Sequence, residues 1–288
     1  MHTVIDAHIH LFPPRLLRAI YRWFVERAWT IHFDNPAADD LIRFLAENGV
    51  YRAVTSCYAH KPGIAQSLND WLSGLADRWP TLIPLGTLHQ DDPDLAVEAR
   101  RCLDTLGFRG FKIHCGVQRV VPDDPRLFSL YEAALDFDRP VLIHAGSGPY
   151  PASWLGFRHF HRLMRRYPAL KVQVAHLGMW EVEDFFSLTE RYPGVYFDLA
   201  AVTNRHLALP VSGLDKILRR YPERVLYGSD FPLIEEPYPR FLELLRSLGL
   251  PDAVYRGVTR ENAEILWGIS AASGRKCGAG SSASDPRG

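Results

Sequence analysis

Eight short runs dominated by Val, Ile, Leu and Tyr recur along the 288-residue chain, each ending on a polar residue or glycine and each followed by a helical pattern. They are TVIDAHIH from Thr3, AVTSCYAH from Ala53, LIPLGTLH from Leu82, GFKIHCG from Gly110, PVLIHAG from Pro140, KVQVAHLG from Lys171, VYFDLA from Val195 and RVLYGSD from Arg224. Strands this apolar are buried on both faces, which a parallel sheet covered by helices requires. Eight of them predict closure into a (β/α)8 TIM barrel of one domain over residues 1–270. The rival is an open doubly wound sheet, but no glycine-rich phosphate loop follows the first run, where a dinucleotide-binding fold would carry one.

The intervening segments fit covering helices. Ile64, Leu68, Trp71, Leu72, Leu75 and Trp79 form one helical stripe. Leu95, Ala99, Cys102, Leu103 and Leu106 form another, which Gly107 is expected to terminate. The segment YRGVTRENAEILWGI predicts a last helix beginning near Thr259 as N-cap. From Ala271 to Gly288 the chain holds four Gly, four Ser and four Ala, a composition that predicts a disordered tail over 271–288.

Lys plus Arg is 33 and Asp plus Glu is 33, so the formal charge is zero and no broad basic surface is expected for nucleic acid or anionic lipid. Cys57, Cys102, Cys115 and Cys277 lack paired spacing, which points to a reducing compartment. The start, MHTVIDAHIH, lacks the basic and apolar regions of a secretory signal. The apolar stretch from Leu16 to Trp29 is interrupted by Arg18, Arg22, Glu26 and Arg27, so it is not expected to span a membrane. A cytoplasmic enzyme with a small-molecule substrate is the expectation, and the sequence is compatible with a homo-oligomer.

The chemistry is expected at the strand ends. His8 and His10, two apart in a strand, project to one face. Lys112, His144 and His176 stand 32 residues apart (144 − 112 and 176 − 144), as do Asp198 and Asp230, a spacing of one strand-helix unit. Residues at equivalent depth on barrel strands converge on the C-terminal mouth. A lone histidine there is ordinarily a hydrogen-bonded structural residue, and Asp230 alone could be a helix N-cap. Imidazoles and carboxylates gathered at one mouth instead need pairing or a metal to offset desolvation. Asp198 fits an outer position, accepting a hydrogen bond that orients a histidine.

DAHIH at Asp6 to His10, GFKIH at Gly110 to His114, LIHAG at Leu142 to Gly146, AHLG at Ala175 to Gly178 and YGSDFP at Tyr227 to Pro232 resemble the amidohydrolase superfamily. More narrowly, they resemble its amidohydrolase-2 branch of metal-dependent hydrolases and aminocarboxymuconate-semialdehyde decarboxylase-like enzymes. The resemblance implies that His8, His10, His144 and Asp230 bind a divalent metal, with His176 beside the metal-bound water or substrate. One Zn²⁺ is expected from imidazole and carboxylate ligands, with Mn²⁺, Fe²⁺ or Co²⁺ as alternatives. Two ions are expected if Lys112 is carboxylated and bridging, as in binuclear members of the superfamily; otherwise Lys112 anchors an anionic substrate or pairs with Asp230.

The leading expectation is hydrolysis of a C–O or C–N bond by a metal-activated water, with Asp230 moving the proton and His176 stabilising negative charge. The alternatives are a non-oxidative decarboxylase of the same branch, with Arg119 or Arg205 holding the carboxylate, and a catalytically inactive binding barrel. Loop residues past the strand ends are the pocket candidates: His114, Arg119, Tyr150, Trp154 and Arg205, then Tyr58, His60, His89, Cys115 and Asn204. Aromatic side chains with one or two arginines suit a small, partly aromatic, carboxylated molecule.

Overall fold

The computed structural model describes residues 4–202 and 211–269. Asn204, Arg205, Cys277 and the segment 271–288 lie outside the described residues. Eight parallel strands follow one another in chain order: β1 Val4–His10, β2 Val50–Ser56, β3 Leu82–Thr87, β4 Phe111–His114, β5 Val141–His144, β6 Val172–Val174, β7 Val195–Asp198 and β8 Val225–Leu226. The ring closes where Ala7 N–H donates to Tyr227 O at 2.8 Å and His10 N–H donates to Phe231 O at 2.7 Å. Residue Ile9 also bridges Phe231 in parallel. The protein is a single-domain (β/α)8 TIM barrel, as the eight runs predict.

From β3 onward each strand occupies the front or middle of its run, and the polar end of the run lies past the strand or at its last residue. β1 is buried along its whole length, so Asp6, His8 and His10 are all withdrawn from solvent. Inside the barrel, Ile5, Ala7, Val54, Ile83, Leu85, Leu142 and Leu226 pack together with Leu266 and Trp267 from the end of the chain. This apolar plug fills the N-terminal end and leaves the polar groups for the C-terminal mouth.

The first stripe forms the helix Ala65–Arg78, burying Leu68, Leu72 and Leu75. The second forms Leu95–Arg100 and a wider turn, Arg101–Thr105, before Gly107 at φ +65°. One expectation and one rival reading are corrected. Thr259 is no N-cap: helical structure runs over 252–267, and the Thr259 hydroxyl donates back to the Tyr255 carbonyl at 2.7 Å inside it. Asp230 caps no helix either, since the next one is Tyr238–Ser247. Among the described residues, no helix is long and apolar enough to cross a membrane.

Candidate metal centre

The polar residues of the cluster stand in the C-terminal part of their strands or just past them, except Lys112, the second residue of β4. The His8 Nδ1 lies 3.0 Å from Asp198 Oδ2, and a carboxylate only accepts, so His8 carries its proton on Nδ1. His10 Nδ1 lies 3.2 Å from the Ser56 carbonyl, which fixes the same tautomer. Both Nε2 lone pairs therefore face the mouth, only 3.2 Å apart. Asp230 Oδ1 lies 3.2 Å from His10 Nε2 and 3.5 Å from His8 Nε2.

Three acceptor atoms at such separations repel one another unless positive charge lies among them; Lys112 Nζ, 3.0 Å from His8 Nε2, supplies part of it, and a divalent ion would supply more. Ligands about 2.1 Å from one ion, at angles of about 90–110°, stand about 3.0–3.4 Å apart. The trio His8, His10 and Asp230 therefore fits a divalent metal. A second trio, His8, His176 and Asp198, also lies within 4.8 Å. It shares His8, whose Nδ1 is already engaged by Asp198.

Electrostatics supports neutral imidazoles beside ionised carboxylates. Burial, aided by the charge of Lys112, pulls His8 down to about 3. Burial also lowers His10, against the pull of the neighbouring Asp230 carboxylate. For Asp230 burial acts upward, but the close approach of the His10, His176 and His8 imidazoles holds its carboxyl below the usual range. Asp198 behaves alike through His8. Fully buried Lys112 stands 3.0 Å from His8 Nε2 and is pulled down to about 8 by burial.

The remaining residues take varied places. His144 belongs to neither trio. β4 and β5 pair in register at His114 and His144, so the two rings stack at 4.1 Å and the His144 ring is held against His114. The His144 ring lies 5.0 Å from that of His176, and it lines the same cavity as His10 and Asp230. His176 Nδ1 donates to Ala200 O at 2.8 Å, which leaves Nε2 as an acceptor. Asp198 also accepts from the His176 and Ala200 amides at 2.9 and 3.1 Å.

Above the cluster opens a cavity of about 630 Å³ that reaches His10, His176 and Asp230. Lys112, His114, Arg119, Tyr150 and Trp154 line it, as do Tyr58 and His60. The buried Cys115 and His89 do not. The helix Pro14–Val25 roofs the cavity with Leu16, Ile20, Trp23 and Phe24, and Trp29 Nε1 donates to Tyr150 Oη at 3.0 Å. Sequence reasoning missed this roof, although the i, i+4, i+7, i+8 apolar spacing of those four residues was its signal. Also missed was Gln173, which donates to Asp198 Oδ2 at 2.7 Å and accepts from Trp267 Nε1 at 2.9 Å. A lone glutamine in the apolar run KVQV was the clue.

Comparison with known proteins agrees with this geometry. The amidohydrolase family model matches residues 5–269. A 2-amino-3-carboxymuconate-6-semialdehyde decarboxylase of Dictyostelium discoideum is 30% identical over 135 residues, covering 40% of this chain and 38% of that protein. The match thus spans well under half of that relative. Among solved structures, an uncharacterised TIM-barrel protein from Bordetella bronchiseptica superposes with a TM-score of 0.72 at 19% identity, covering 92% of this chain and 98% of that one. The 5-carboxyvanillate decarboxylase of Novosphingobium aromaticivorans, complexed with manganese and 4-hydroxy-3-methoxy-5-nitrobenzoic acid, gives 0.67 at 16% identity over 93% and 96% of the two chains. With its family model matched over nearly the whole barrel, the chain belongs to the amidohydrolase family, in its amidohydrolase-2 branch.

Proposed function

We propose that this enzyme is a metal-dependent, non-oxidative decarboxylase of a small planar aromatic acid. Hydrolysis was the leading expectation from the motifs, but the decarboxylases among the relatives favour carbon–carbon cleavage. One observation carries the reading: an aromatic-walled cavity ends on the His8, His10 and Asp230 trio, with exposed Arg119 at its lining. Flat aromatic walls suit a ring, and a guanidinium suits its carboxylate.

His8, His10 and Asp230 would hold one divalent ion; manganese, recorded with a solved relative, is the first to test and zinc the second. When bound, the ion supplies a Lewis acid that draws electron density from a substrate oxygen. In the reaction the bond from ring carbon to carboxylate breaks, CO2 leaves, and the electron pair stays on the ring carbon until a proton replaces it. Asp230, on the cavity floor, relays that proton from solvent to the ring carbon, and His176 Nε2, an acceptor, takes a hydrogen bond from the substrate. The aromatic roof excludes bulk water, which strengthens each of these interactions.

CO2 release by the manganese-loaded protein from a panel of aromatic acids tests the proposal. Turnover of at least one acid is expected. Hydrolysis of esters, lactones or amides with no CO2 from any acid would overturn it.

A further inference from the structure

Away from the metal trio and His176, the polar side chains of the cavity wall are mostly hydrogen-bond donors. Among the described residues, Asp230 is the one acidic side chain lining it, and that carboxylate belongs to the metal trio. Facing it are groups that have protons to give and no protein group to take them. Tyr58 is only 7% exposed, yet its hydroxyl has no hydrogen-bond partner among the described residues. Its ring is fixed from three sides, with centroids 5.3 Å from His10, 4.9 Å from Phe12 and 5.1 Å from His114. A phenol held this firmly beside a candidate ligand presents its O–H to the cavity, where a bound molecule can accept from it.

His114 repeats the pattern. The Val117 amide donates to its Nδ1 at 3.3 Å, so the ring proton sits on Nε2, which has no partner among the described residues. Burial and the surrounding imidazoles keep the ring neutral. The Nε1–H of Trp154 is buried and unpartnered on the same cavity. A bare aromatic carboxylate would use Arg119 and leave these donors unsatisfied. An acid with a further oxygen on its ring would engage them.

We propose that Tyr58 is a specificity-determining residue: its hydroxyl, beside the His114 Nε2–H, donates to a second oxygen-bearing substituent of the aromatic acid, so the cavity selects oxygenated acids over benzoate. This rests on the decarboxylase reading and deepens it. A phenolic hydroxyl and a second carboxylate both supply the acceptor, and two ligands separate them.

Calorimetric titration of the manganese-loaded protein with benzoate, 3-hydroxybenzoate and isophthalate tests the assignment. Wild type is expected to bind at least one of the two oxygenated acids about 10-fold or more tighter than benzoate. Tyr58→Phe keeps the ring and should weaken that acid by about 5- to 10-fold, while benzoate moves by less than about 2-fold. Equal weakening of benzoate would make Tyr58 a packing residue, and unchanged affinities would remove its role; either result overturns the proposal. Wild type that binds none of the three acids rejects the decarboxylase reading itself, a distinct failure, and the assignment falls with it. A crystal of wild type with the preferred acid gives a reading independent of the variant. Tyr58 Oη is expected within about 3.2 Å of the ring substituent, and a ligand turned with that oxygen away from Tyr58 contradicts the proposal.

Discussion

His8 condenses the chemistry of the centre into one ring. Asp198 accepts from the Nδ1–H, Gln173 donates to the same Asp198 oxygen at 2.7 Å, and Trp267 donates to Gln173, so the orientation of one imidazole depends on residues from β1, β6, β7 and the last described helix. Such support raises ligand basicity and fixes the tautomer. It also carries a cost in acid. His8, His10, His114 and His144 are all buried with depressed pKa values, His8 at about 3 against an ordinary 6.5. On unfolding they would bind protons at pH values where the folded rings do not. Their contribution is therefore complete above about pH 6.5 and is lost as the pH falls toward the folded values. Asp6 works the other way: burial pushes it up to about 7, so its contribution is full below its ordinary 3.8 and fades as the pH rises through about 7. Four imidazoles outweigh one carboxyl. Chelator-treated protein should unfold at lower urea at pH 5 than at pH 7.5, and an equal or higher midpoint at pH 5 would contradict the neutral-imidazole account.

The loop after β6 shows how an element can hold one side chain under strain. His176, Leu177, Gly178 and Met179 all have positive φ, at 57°, 55°, 81° and 61°. Three of them carry side chains that pay for this conformation, and such outliers persist where surrounding structure enforces them. Here the enforcement is visible: Asp198 accepts from the His176 amide, Phe185 packs on Gly178, and the β5 loop at Gly146 leaves no room for a Cβ beside Gly178 O. A Cβ on Gly178 would lie 2.4 Å from the Phe185 ring. Gly178→Ala is therefore expected to destabilise the fold by about 2–4 kcal/mol, lowering the melting temperature by several degrees. A wild-type melting curve for this variant would show that the loop is not packed as described. The sequence motif AHLG marked the position of His176 but not this conformation, because left-handed backbone at a leucine and a methionine is imposed by tertiary neighbours rather than by local preference.

At the scale of the whole molecule, the barrel was legible because two-sided burial leaves a strong signature: eight apolar runs, each ending in polar residues. Those ends also marked the centre, since 32-residue spacing becomes adjacency when parallel strands close into a ring. Less was legible where contacts depend on register or on loops. His144 reads as a ligand by motif, and its ring, stacked in register on His114, lines the same cavity as His10 and Asp230. The roof helix carries its stripe openly, but no local pattern says that its apolar face will cover a cavity rather than a core. Thr259 reads as a cap in sequence and proves to be interior, because the wider turn at Gly257–Glu261 lets the helix continue through it. The central claim is that side chains from opposite ends of the chain share one cation. Crystals grown with manganese and measured at an anomalous wavelength test it directly. The account predicts a peak about 2.0–2.3 Å from His8 Nε2, His10 Nε2 and an Asp230 oxygen together. A peak held elsewhere, or none at that trio in manganese-saturated protein, would contradict it.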